Sequence, residues 1–354
     1  MRKPELITRR LSDVEPESFS WLWQGIIPMG KLSLIMGHPG QGKGLLTLDL
    51  AARVTTGQPW PGGIETRKPR SVVLLTPEDD PADTIRPRLD VAGADVSRVH
   101  VVTAVKAGAD GKQARSFSLA DDVEQLKETV KRLEDCGLII IDPISAYFGT
   151  DMDSHKDTHV RCLMMPLVEI AAETGVAIIC VSHMNKGQGP AINRGMGSMG
   201  FIAISRTAFM LGKSPDNNDV RVLCPIKCNI AKDSVSFAFR VVEKMHPSLH
   251  LTQPAIEWLE GNLDMTADDF FALSEASDQP SKLAEAEEFL KERLSEEPVL
   301  ARTLTEEAHS RGISERTLKR AQKALNIQSE KQIGVENGSW MWSLPVPKGA
   351  DSSP

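Results

Sequence analysis

Short apolar runs recur along the first three quarters of the chain, separated by longer polar or amphipathic stretches. They are Leu32 to Met36, Val72 to Thr76, Val99 to Val105, Leu138 to Ile141 and Val176 to Val181. Runs that are continuous instead of alternating are expected of strands buried on both faces of a parallel sheet, with helices in the crossovers. Thr207 to Leu211, Val220 to Pro225, Val235 to Val242 and Ile256 to Leu259 follow with few helices between them, which predicts an antiparallel or mixed edge. The pattern is that of an α/β fold whose core ends near Gly261. Residues 263 to 281 carry Asp264, Asp268, Asp269, Glu275 and Asp278 without a Lys or Arg and close on Gln279-Pro280-Ser281, the composition of an acidic linker. Leu283 to Leu294, Thr303 to Ser310 and Ser314 to Leu325 then read as helices. Ile327 to Leu344 carries Gly334, Asn337 and Gly338 as turn signals, which predicts a hairpin.

This divides the chain into an N-terminal extension (1–20), a large domain (21–262), the linker (263–281), a small domain (282–345) and a tail (346–354). Three helices and a hairpin are the pieces of a winged-helix domain. With 41% hydrophobic residues in 354, two domains can each bury a core. There is no apolar stretch long enough to span a bilayer, and Met1 to Arg10 is basic without an apolar segment after it, so a cytoplasmic protein is expected. The five cysteines lie mostly in apolar runs, show no zinc spacing, and are expected to be small buried hydrophobes. A net charge of −7 excludes a protein that coats nucleic acid with its whole surface and confines any such contact to local patches.

The candidate chemistry starts at Gly37-His38-Pro39-Gly40-Gln41-Gly42-Lys43-Gly44, which follows a strand and opens a segment from Leu45 to Thr56 that Gly57 can cap. Glycines let backbone N–H groups point into such a loop, the helix N-terminus adds its dipole, and Lys43 places a positive charge on the β and γ phosphates of a nucleotide. ATP is the expected ligand, held by Gly37 through Leu45, with Mg2+. One position departs from the pattern: the residue after Lys43 should be Ser or Thr, whose hydroxyl ligates magnesium, and here it is Gly44. Thr47, one turn on, is expected to be too far away to replace it directly.

Asp142 ends the strand Leu138 to Ile141 and is expected beside the magnesium ion. Glu78 follows Val72 to Thr76 and is a candidate general base, whereas Asp79 and Asp80 are expected to be solvated turn residues. Val176 to Val181 ends at Ser182-His183, which makes His183 a candidate γ-phosphate sensor. His155 and His159, with Asp151, Asp153 and Asp157 nearby, have a superficial metal spacing but fit a polar loop and helix start better.

Taken in this order, the phosphate loop, Thr76-Pro77-Glu78-Asp79, Ile141-Asp142-Pro143 and Val181-Ser182-His183 resemble the RecA-like AAA-family ATPases related to the plasmid RepA-type replicative helicases. Trp23 to Lys31, Gly195 to Arg206 and Ile226 to Asn229 extend the resemblance over about residues 20 to 245. It implies a RecA-like P-loop NTPase core with a mostly parallel central sheet, Glu78 as catalytic base, His183 as nucleotide sensor, and Arg206 and Lys227 serving a neighbouring subunit. A homo-oligomeric ring, such as a hexamer, would follow. It also implies that the loops after Asp142 and His183 face single-stranded DNA; of these, 149–159 is acidic, while Lys186 to Gly200 is glycine-rich with Lys186 and Arg194.

Ser314 to Leu325 resembles the recognition helix of winged-helix domains. Ser314 is its N-cap, and Arg316, Lys319, Arg320 and Lys323 give it a basic face suited to phosphates and duplex DNA. Trp340 and Trp342 alternate at strand spacing and are expected to pack the wing together. These features lead to an ATP-hydrolysing DNA motor of the replicative-helicase type. Two readings stay open beside it: a nucleotide-gated DNA-binding regulator, which Gly44 favours, and an assembly ATPase that touches only protein.

Overall fold

A computed structural model of the chain describes residues 8–63, 68–107, 113–149, 157–184, 199–214, 217, 219–231, 235–261, 263, 265–270, 272, 282–295, 297–331 and 340–345. Among them no helix is long and apolar enough to cross a membrane. The chain separates into two compact units, residues 1–271 and 272–354.

The first unit is built on a nine-stranded sheet. Its strands are β3 (Leu32–Gly37), β4 (Ser71–Leu75), β5 (Val99–Val101), β8 (Cys136–Ile141), β9 (Ala177–His183), β10 (Thr207–Lys213), β11 (Val220–Cys228), β12 (Phe237–Met245) and β13 (Thr252–Trp258). They lie in the order β13-β12-β11-β10-β3-β9-β8-β4-β5. Pairing is parallel from β5 through β10 and antiparallel from β10 to β13, the mixed edge the sequence predicts. Alternation explains the continuous apolar runs. Leu34, Val73, Ile139 and Ile178 enter one core, while their neighbours Ile35, Val72, Ile140 and Ile179 enter the other. Helices α3 (Val123–Arg132), α4 (Asp157–Thr174) and α5 (Gly200–Ile204) supply the first core; α1 (Lys43–Thr56) and α2 (Arg86–Ala92) supply the second.

Two hairpins fall outside the predicted strands. Val99 to Val105 does not form one strand: β5 stops at Val101, and β6 (Val105–Ala107) turns away to pair with β7 (Gln113–Arg115). Near the N-terminus, β1 (Trp21–Trp23) pairs with β2 (Ile27–Pro28). The fully buried Trp23 stacks on Trp60 at 5.3 Å between ring centroids and meets Trp258 of β13 edge-on at 5.6 Å. Asp49 of α1 accepts hydrogen bonds from Trp258 Nε1 and Arg53 Nε, both at 2.8 Å, so the helix after the glycine loop is tied to the antiparallel edge.

The core runs past Gly261. Ala267 and Phe270, inside the stretch expected to be an acidic linker, are buried in the first unit. Phe270 lies where a Cβ on Gly212 would sit, 2.5 Å from the ring, so a strand glycine makes room for it. Cys136, Cys180 and Cys224 are buried as expected, whereas Cys162 is exposed on α4, whose Val160, Met164 and Leu167 face the core instead.

The second unit contains α6 (Lys282–Arg293), α7 (Ala301–Ser310), α8 (Glu315–Ala324) and a three-stranded sheet in the order β14 (Val299–Leu300), β16 (Trp340–Ser343), β15 (Gln328–Lys331). Phe289, Leu290, Leu304, Leu318, Ala321 and Trp342 are among the residues that fill its core. The two tryptophans of β16 part company: Trp342 is 6% exposed and Trp340 is 53% exposed. Trp340 pairs with Lys331, the last residue of β15, which is also exposed.

Candidate nucleotide site

The parallel strands bring their carboxyl ends together in a fixed register. Gly37 at the end of β3 lies beside His183 at the end of β9, and Asp142 directly follows β8, its backbone N–H donating to Leu75 of β4 at 2.9 Å. Glu78 follows β4 by a short turn. Four residues named from separate parts of the sequence thus surround the start of α1.

The loop from Gly37 to Lys43 has the backbone that glycine allows. Gly40 and Gly42 have φ of 74° and 91°, the left-handed region that other residues rarely enter. At Gly37 space is the constraint, because an added Cβ would run into the Leu211 carbonyl of β10. Lys43 is the first residue of α1 and only 7% exposed. Its Nζ donates to the Gly37 and His38 carbonyls at 2.8 and 2.9 Å and lies 3.3 Å from His183 Nδ1. Burial holds the ammonium below its ordinary pKa, against the pull of Asp142 and Glu78. Burial and Lys43 likewise hold His183 below the usual histidine value, and a neutral ring can accept a hydrogen bond from Lys43 Nζ at Nδ1.

Burial pushes the Asp142 carboxyl up to about 6, against Lys43, with Asp79 and Glu78 adding repulsion. Glu78 is exposed and stands on a cavity of about 360 Å³ lined also by Thr76, Asp79, Ser116 and Tyr147. The Tyr147 hydroxyl is itself raised by burial and by the charges on Asp142 and Glu78.

Thr47 Oγ1 donates to the Gly44 carbonyl at 2.9 Å and lies 3.4 Å from Asp142 Oδ2. One helical turn brings residue 47 back over that carboxylate. One expectation needs correcting: Asp79 is not a solvated turn residue but half-buried, 3.6 Å from Arg88 Nη1, and its Oδ2 would lie 3.9 Å from a Cβ on Gly44. Asp80 does behave as a turn residue, accepting from Ala82 and Asp83 N–H at 2.7 and 3.2 Å. The sequence held a clue to Asp79 in its place next to Glu78, and none to Arg88, which reaches it from the following helix.

The oxygens of Asp142, Asp79 and Thr47 are the hard donors that magnesium selects. Among the described residues no group of three or more His, Cys, Asp or Glu side chains could hold a metal ion by itself. His159 begins α4 as an exposed residue; His155, Asp151 and Asp153 lie outside the described residues, as do Lys186 and Arg194. Arg206 is exposed. Lys227 Nζ donates to the Ile202, Ala203 and Ser205 carbonyls at 2.8, 2.9 and 2.9 Å, capping α5 within its own chain. Its charge feels repulsion from Arg206 and from Arg161 of α4. On α8, exposed Lys319, Arg320 and Lys323 form a stripe at helical spacing opposite the buried Leu318 and Ala321, and Lys319 pairs with Glu315 at 2.8 Å. The Arg316 side chain lies outside the described residues. Ser314 caps this helix as expected, its Oγ accepting from Thr317 N–H at 3.2 Å.

A glycine loop between a central parallel strand and its helix, with a buried lysine and carboxylates at the neighbouring strand ends, defines a P-loop nucleotide-binding domain of the α/β class. A family model described as "AAA domain" matches residues 2–189, just over half of the chain, and the chain belongs to that family. Among solved structures it is similar to the crystal structure of the RadB recombinase, with 16% sequence identity and a TM-score of 0.44 over 61% of this chain and 89% of that one. No curated protein matches the sequence.

Proposed function

We propose that the chain is an ATP-hydrolysing, oligomeric DNA motor of the replicative-helicase type that acts on single-stranded DNA. The observation that carries this reading is the meeting of Lys43, Asp142, Glu78 and His183 at the ends of adjacent parallel strands. Lys43 meets the β and γ phosphates with a charge that burial makes effective. Reaching them takes its ammonium away from the Gly37 and His38 carbonyls and from His183, so His183 changes partners with nucleotide state. Glu78, exposed at the cavity mouth, accepts the proton of the attacking water. Asp142, oriented by Thr47, would hold Mg2+, and the ion would supply neutralisation of charge on the phosphates.

Exposed Arg206 supports a site completed by a neighbouring subunit. Lys227 can take part only by leaving the carbonyls of α5. The basic stripe on α8, in a helix-and-hairpin unit of winged-helix type, supports contact with DNA phosphates. Gly44 and that stripe also favour a second reading, a nucleotide-gated DNA-binding regulator with little turnover. Magnesium-dependent ATP hydrolysis, measured with and without single-stranded DNA and with Lys43→Ala as control, separates the two. Hydrolysis that rises with single strands and disappears in Lys43→Ala supports the motor; ATP binding without turnover rules it out.

A further inference from the structure

Position 44 poses a physical question that the family pattern does not answer. Its backbone lies outside the left-handed region, and an added Cβ would meet only Asp142 Oδ2 at 3.5 Å and Asp79 Oδ2 at 3.9 Å, both ordinary contacts. Neither space nor dihedral demands glycine there, and helix propensity disfavours it. Beside Gly44 lies a small cavity of about 10 Å³, lined by Leu48, Leu74 and Ile140 as well as by Thr47, Asp79 and Asp142. That is at the lower limit for one water-sized occupant. Two carboxylates aimed at one small space repel each other unless a cation sits between them.

We propose that Asp79 supplies the oxygen ligand to the nucleotide-bound divalent cation that residue 44 cannot, so that Asp79 and Asp142 grip the ion from two sides of Gly44. The assignment rests on the P-loop reading of this site. Asp79 is placed for it by Arg88, which reaches it from α2 at 3.6 Å. Arg88 Nε is buried and has no hydrogen-bond partner among the described residues, so the guanidinium meets Asp79 through its outer edge alone. Arg88 Nη1 meets the same Asp79 Oδ2 that faces Gly44, and a carboxylate oxygen has lone pairs for both a guanidinium N–H and a metal ion. Thr47, already committed to the Gly44 carbonyl and Asp142, acts as a positioning residue. An acidic ligand replaces a neutral hydroxyl, and carboxylate oxygen is a donor that both Mg2+ and Mn2+ accept.

The test titrates Mn2+, a paramagnetic replacement for Mg2+, into the full chain with saturating ADP and follows free ion by electron paramagnetic resonance. ADP binding in EDTA is measured in parallel on every variant. Asp79→Asn, nearly identical in shape and half-exposed, is expected to weaken Mn2+ binding by about tenfold or more while leaving ADP binding in EDTA within about twofold. Gly44→Ser added to Asp79→Asn is expected to restore most of the loss, because a hydroxyl then stands between the two carboxylate positions. Mn2+ affinity unchanged in Asp79→Asn, with ADP still bound, overturns the assignment of Asp79 and leaves the P-loop reading intact. Failure of the unaltered protein to bind ADP removes the reading of the site, and the role of Asp79 with it.

Discussion

Replacing Asp142 with asparagine should make the metal-free, nucleotide-free protein more stable at pH 8. Burial raises this carboxyl from an ordinary 3.8 to about 6. A shift of about two units at about 1.36 kcal/mol each means that ionising Asp142 costs the folded state about 3 kcal/mol. The pull of Lys43 is already contained in that shift. Because the folded value lies above the unfolded one, the folded state holds the proton more tightly. Stability therefore falls as pH rises from about 4 to about 6, and the full cost is present above that window. The Asp142→Asn change removes the charge while keeping the side chain's size and an oxygen within reach of Thr47 Oγ1, now 3.4 Å from Asp142 Oδ2. Thermal unfolding in EDTA is the assay. At pH 8 the variant should melt roughly 6–12 °C higher, at about 2–4 °C per kcal/mol for a domain of this size. At pH 4, where Asp142 is already protonated, the two proteins should melt together. A variant that melts lower at pH 8, or differs equally at both pH values, refutes the reasoning.

Two further outcomes test other parts of the structure. Gly37→Ala drives a Cβ into the Leu211 carbonyl, and thermal unfolding should show a loss of about 1–3 kcal/mol together with weakened ATP binding. Arg320→Ala and Lys323→Ala should each lower the salt-dependence slope of duplex DNA affinity by about one in fluorescence anisotropy, with ATP binding unchanged, if both touch phosphates.

The parallel core was legible because every central strand is buried on both faces, so composition alone marks it. Leu32 to Met36 and Leu138 to Ile141 need no partner information to be recognised as strands, and each ends on a residue whose chemistry stands out. The hairpin of β6 and β7 was not legible: Val99 to Val105 is apolar throughout most of its length, and only pairing decides that the chain turns away after Val101. Asp268 and Asp269 made the stretch around them look like a linker, although Ala267 is buried and Phe270 fills the space that Gly212 leaves on a distant strand. Trp340 and Trp342 share a spacing but not a fate, since spacing gives a common face and not how much of that face the core covers. At the site, the sequence named Gly37 to Gly44, Glu78, Asp142 and His183 from their places at strand ends. It misplaced Asp79, which a loop brings toward Asp142 across a space that glycine leaves open.

The most direct test of the central claim is ATP binding and turnover by Glu78→Gln in the presence of Mg2+. Glutamine keeps the side chain's length and its place at the cavity but cannot take a proton from water. The account predicts that ATP affinity stays within about twofold while turnover falls by about 10²–10⁴-fold, the contribution of a positioned general base. Turnover equal to that of the unaltered protein would contradict it, because the exposed carboxylate after β4 would then have no part in activating water.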